Sequence, residues 1–109
     1  SALVLLLGGA RAGKFVVGPV RRKKPSILTA SFRSGHEIMG IGTIFTGNKG
    51  PELHLHAAAG RGSKTLMGCG RTGFKVNFII EVVIFELAGL KARRALDPLT
   101  GFHLLTLAK

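Results

Sequence analysis

At 109 residues, the chain has the length of one domain that buries roughly two thirds of the surface its unfolded form exposes. Sixteen Lys and Arg against five Asp and Glu give a net charge of +11, which favours polyanionic partners and steeply salt-dependent contacts. A single cysteine excludes an internal disulfide, so nothing argues for secretion, and a reducing cytoplasm is the expected compartment. The apolar fraction of 46% contains no Trp or Tyr, and small and β-branched residues with 16 Gly favour a turn-rich β structure.

Ala2 to Leu7 predicts a buried strand ending at Gly8-Gly9, and Lys14 to Val17 a second one stopped by Gly18-Pro19. The first is too short for a signal-peptide core or a bilayer span, and Glu81 and Glu86 interrupt the longest apolar run, so no membrane segment is expected. Arg21 to Lys24 with Pro25 reads as a loop or edge, Ile27 to Phe32 as a third strand, and Ser34-Gly35 as a turn. His36 to Phe45 predicts a longer strand, in which Gly40 and Gly42 share a face and leave a bare strip for another backbone or subunit.

Thr46 to Pro51 carries the residues of a hairpin loop, Leu53 to Ala59 is the next strand, and Gly60 to Ser63 turns the chain. Thr65 to Met67 then leads into Gly68-Cys69-Gly70. Phe74 to Leu87 fits both a strand and a helical stripe, and its density of Val and Ile selects the strand. In the tail, the basic cluster Lys91, Arg93 and Arg94 precedes a turn at Asp97 to Gly101 and a last strand from Phe102 to Leu107.

His54 and His56 are two apart in a strand, so both imidazoles project from one face about 7 Å apart at the backbone. Cys69 supplies a third, softer ligand if the following strand folds back alongside. Two His and one Cys suit Zn²⁺ and leave one coordination position open. The plainer reading is a half-buried histidine pair bonded to carbonyls. His36 and His103 are alternative ligands, each also fitting a surface or loop position.

Glu81, inside an apolar run, needs a partner: a structural ion pair, or a proton-transfer or supporting role beside the metal. Arg21, Arg22, Lys23, Lys24, Arg61, Lys64 and Arg71 are the candidate contacts to nucleic acid or another polyanion. No aromatics interleave them, which argues against sequence-specific single-strand reading. Neither a phosphate-binding glycine loop nor a nucleophile motif occurs, so binding is favoured over catalysis.

Gly35 to Phe45, Pro51 to His56, Met67-Gly68-Cys69 and Glu81 to Ile84, in this order and spacing, resemble the plant- and prokaryote-conserved (PPC) domain. The resemblance is strongest from Gly35 to Gly89, and Arg93-Arg94, Asp97-Pro98 and Thr100 to Phe102 are similar to the tail of some members. It implies a single domain over residues 1–109 with an α+β fold, dominated by an antiparallel-rich sheet with few helices, and a homotrimer. It also implies a DNA-binding or regulatory role. The family's usual strand and helix before the segment matching Ala2 to Leu7 are expected to be missing.

Plant relatives carry separate AT-hooks; here Gly60-Arg61-Gly62 only faintly echoes one. Some prokaryotic members bind zinc through a His-x-His pair and a third His, and Cys69 stands in that third position. The three-histidine arrangement also resembles that of acetolactate decarboxylase. The alternative it implies is a metal-dependent enzyme acting on a small anionic oxo-acid, with Glu81 moving protons and Arg71 holding the anion.

Overall fold

The structure, a computed structural model, describes residues 1–18 and 28–107. The chain runs through β1 (Ala2–Val17), β2 (Leu28–Phe32), β3 (His36–Gly47), β4 (Gly50–Arg61), β5 (Lys64–Gly70), β6 (Lys75–Glu86), β7 (Ala92–Leu96) and β8 (His103–Leu107). No helix occurs among the described residues, so the expected α+β class is corrected to all-β. The sheet is mixed: β3 pairs in parallel with β7, and the other strand pairs are antiparallel. The one segment that also fitted a helical stripe is extended as β6. Its Val and Ile side chains are stiff at χ1, and β1 offers it a long ladder.

The strand expected to end at Gly8-Gly9 instead continues as one 16-residue element. These glycines admit the neighbouring backbone of β6: a Cβ on Gly8 would collide with the Ile79 carbonyl oxygen, and one on Gly9 would lie 2.6 Å from that of Asn77. The β1–β6 register shifts there, between Gly8 and Ala12, as a bulge does. Past it, β1 exchanges partners, pairing β2 through Gly13–Val17 and β5 through Phe15 and Val16.

Because β1 also pairs β3, the ladders β1–β3–β4–β5–β1 close a ring. Its inner face is packed by Ala10, Phe15, Phe32, Ile38, Ala57 and Ala59, with Leu6, Leu66, Phe74 and Ile80 against them. Phe15 is fully buried, between Phe32 and Phe74 at centroid distances of 6.1 and 5.3 Å. The bare strip expected at Gly40 and Gly42 faces β4 of the same chain. A Cβ on Gly42 would sit 2.8 Å from the His54 carbonyl oxygen. Small side chains are needed where a narrow ring curls on itself.

The outer face is different. Cross-strand partners share a face, so Val83, Leu5, Ile41, His56 and Cys69 form one continuous row across five strands. Beside it stand Glu81, Leu7, Met39, Ala58 and Met67. Leu7, Met39, Ile41, Met67, Val83 and Phe85 are all exposed. On β6 the other face is open as well: Val76, Val82 and Ile84 are exposed, and Phe78, at φ 65°, is 98% exposed.

Candidate metal centre and basic groove

The three sequence-selected donors meet on this outer face. In β4, Ala57 and Ala59 point into the core, so the alternate residues His54 and His56 point outward. The β4–β5 register sets Cys69 directly opposite His56. The His54 and His56 Nε2 atoms lie 3.0 Å apart, and one donor atom from each of His54, His56 and Cys69 falls within 4.8 Å of the others. Two nitrogens bound to one tetrahedral zinc would be separated by roughly 3.3 Å, given Zn–N bonds of 2.0–2.1 Å. The donor set and spacing therefore fit a metal ion of that kind. Held by His54, His56 and Cys69, it would supply Lewis-acid chemistry to the cavity these residues line.

That cavity, about 530 Å³, is lined by His54, His56, Cys69, Arg71, Arg94 and His103 among others. Burial first, then the positive charge of Arg94, and after it His56 and Arg71, hold the His54 imidazole below its ordinary 6.5. A neutral imidazole at pH 7 is the form that can ligate a metal.

The alternative donors are placed differently. His36 Nδ1 lies 2.7 Å from the Ser34 carbonyl oxygen, and its ring packs on Phe32 at 4.4 Å. His103 lines the cavity with Nδ1 3.4 Å from Glu52 Oε2. Glu81 is exposed on β6, makes no ion pair among the described residues and does not line the cavity. Three ladder spacings, β6–β1–β3–β4, put it roughly 14 Å along the sheet from the histidine strand.

Of the basic residues singled out in the sequence, Arg21, Arg22, Lys23 and Lys24 lie outside the described residues. Arg61 donates from Nη1 to the Gly35 carbonyl at 2.7 Å, and Lys64 is exposed at the β4–β5 turn. Arg71 lines the cavity beside the three donors, and its backbone N–H bonds the Lys14 carbonyl at 3.1 Å.

Sequence reasoning missed two features. One is a groove of about 750 Å³ lined by Arg11, Lys14, Arg33 and Lys75 together with the hydroxyls of Thr29, Ser31, Ser34 and Thr72, and by no acidic side chain. Its cations are scattered in sequence and meet only because β1 exchanges partners. The other is Arg94, grouped with its neighbours as a surface cluster. Strand alternation in Ala92–Leu96 separates it from Arg93, and it is buried.

The chain matches the Plants and Prokaryotes Conserved (PCC) domain over residues 1–88 and belongs to that family. Solved structures share the fold. A metal-containing protein from Archaeoglobus fulgidus superposes with a TM-score of 0.80 at 23% identity, covering 96% of this chain and 73% of that one. A plant- and prokaryote-conserved protein from Pyrococcus horikoshii gives 0.80 at 22%, covering 99% and 73%. A candidate DNA-binding protein from Ralstonia eutropha JMP134 gives 0.79 at 19%, covering 98% and 73%. No protein of curated function matches the chain. Among the described residues, no helix is long and apolar enough to cross a membrane.

Proposed function

We propose that residues 1–109 form one cytoplasmic domain that assembles as a homotrimer, binds Zn²⁺ through His54, His56 and Cys69, and engages DNA through its basic surface. The single observation that carries DNA is the one-signed groove of Arg11, Lys14, Arg33 and Lys75 with its four hydroxyls. Cations and hydroxyls without carboxylates are the contacts a phosphodiester backbone accepts, and they carry no base information. The names of the Ralstonia relative and of a Bacteroides thetaiotaomicron relative, both candidate DNA-binding proteins, point the same way. For self-association, the support is the exposed apolar row on the outer face, the kind of contiguous surface that marks an interaction site. The trimeric number follows the family resemblance.

The test is duplex binding followed by fluorescence anisotropy across a salt series. Affinity falls steeply with salt and is indifferent to chelator. Replacing Arg11, Arg33 and Lys75 by Ala lowers the log–log slope by roughly 2 to 3. Absence of salt-dependent duplex binding contradicts the reading.

A second reading, a metal-dependent enzyme on a small anionic substrate, is favoured by one observation: the three donors open onto a cavity of ligand size that holds two arginines. Turnover lost on chelation and in His54→Ala is its test.

A further inference from the structure

Arg94 is buried, at 8% exposure, and is the only charged side chain so enclosed among the described residues. Its guanidinium cannot shed its charge by deprotonation. All five carboxylate side chains of the chain lie in the described residues, and none pairs with it; the one ion pair among the described residues joins Glu52 to His103. Its partners are neutral: Nη2 donates to Thr43 Oγ1 at 2.9 Å and Nη1 to the His103 carbonyl at a long 3.4 Å, while Nε is buried without an acceptor. The Phe45 ring, 5.9 Å from the guanidinium carbon, offers a cation–π contact. Taking an ion out of water without a partner of opposite charge is costly.

The position of that charge gives it a use. Thr43 is the cross-strand partner of His54, so Arg94 stands over the histidine strand and lines the same cavity as the three donors. The charged groups facing this cavity are Arg71 and Arg94 against Glu52, which already meets His103. Two neutral imidazoles and one thiolate would leave a divalent ion net positive, so the cavity is cationic with or without metal. Its volume of about 530 Å³ is that of a small-molecule site.

We propose that this cavity is a receptor for a small carboxylate anion, held by the Arg94 guanidinium and, on the metal reading given above, completed by the open coordination position. Thr43 and the His103 carbonyl take only two of the five guanidinium N–H donors, and the planar fork matches the two oxygens of one carboxylate. Arg94, rather than the exposed Arg71 expected from sequence, is the anchoring residue. Arg71 closes the rim.

Pyruvate is the probe, titrated at constant ionic strength into ¹⁵N-labelled full-length protein, with and without added zinc, while the Arg94 Nε–H resonance is followed. The proposal predicts a saturable shift of that resonance. It also predicts at least tenfold weaker pyruvate binding in Arg94→Gln, partial recovery in Arg94→Lys, and no binding of the uncharged methyl ester. An unmoved resonance in the wild-type protein, equal affinity in Arg94→Gln, or tighter binding of inorganic phosphate than of pyruvate overturns it. The wild-type resonance keeps the test decisive if a variant fails to fold. Zinc content measured on the same samples separates the two claims. A pyruvate shift in protein that takes up no added zinc sinks the metal reading alone, and bound zinc without a shift sinks this one alone.

Discussion

His56 and Cys69 stand directly opposite each other across the β4–β5 ladder, and this register point makes a three-donor site out of a His-x-His strand. A slip of one residue would send Cys69 to the inner face, among the packed phenylalanines, and leave the histidines alone. The small side chains of β3 and β4 and the tight β4–β5 turn therefore act on the site as well as on the fold.

Gly42→Ala tests the coupling between ring packing and site. The added Cβ would lie 2.8 Å from the His54 carbonyl oxygen, so β4 must shift. Overpacking of this kind costs about 1–3 kcal/mol. The expected outcome is that loss in urea denaturation together with weaker metal retention. Unchanged stability and metal retention would show that the strands have more room than the structure gives them.

Phe15→Ala removes the one large side chain that is fully buried among the described residues. Loss of an aromatic from such a position costs about 3–5 kcal/mol, a large fraction of the stability of a domain this size. A lower denaturation midpoint at unchanged m-value is expected; a midpoint within error of the parent would place the core elsewhere.

The His54 imidazole is held below 6.5, so its proton linkage has a definite sign. As pH falls below 6.5, the unfolded chain takes up a proton before the folded one does. The stability that neutral His54 supplies is thus complete above 6.5 and drains as pH falls through the folded value. In metal-free protein, the His54 ring protons should titrate with a midpoint below 6.5, and Arg94→Gln should raise that midpoint. A midpoint at or above 6.5 would mean that neither burial nor Arg94 acts on the ring.

Ile41 and Val83 lie in the same outer row as His56 and are exposed. If this row carries the proposed self-association, replacing both by Lys should leave the fold intact and give a monomer in light scattering, since burying two unpaired ammonium groups opposes association. A particle that keeps its size would locate the interface on another face.

Much of the architecture was legible in the chain. Strand alternation and the β-branched density located β2 to β6 and β8 within a few residues, and His54 and His56 necessarily share a face at a spacing of two. The glycines of β1 were harder. Gly8-Gly9 has the composition of a turn, but its function is to let β6 approach, and only the pairing of distant strands reveals that. Arg94 was hidden for a similar reason: whether a charged residue in a short strand faces water depends on which strand covers it, here through Thr43 and His103. Alternation marks one face of β6 as apolar without saying what covers it, and in the single chain that face is largely exposed.

Metal analysis of the purified protein and its variants tests the central claim most directly. The account predicts one zinc per chain in the parent, with loss in His54→Ala and in Cys69→Ala at matched folding. A Cys69→Ala protein that keeps full zinc stoichiometry and affinity, or a parent purified without exposure to chelator that neither carries zinc nor takes it up, would contradict it.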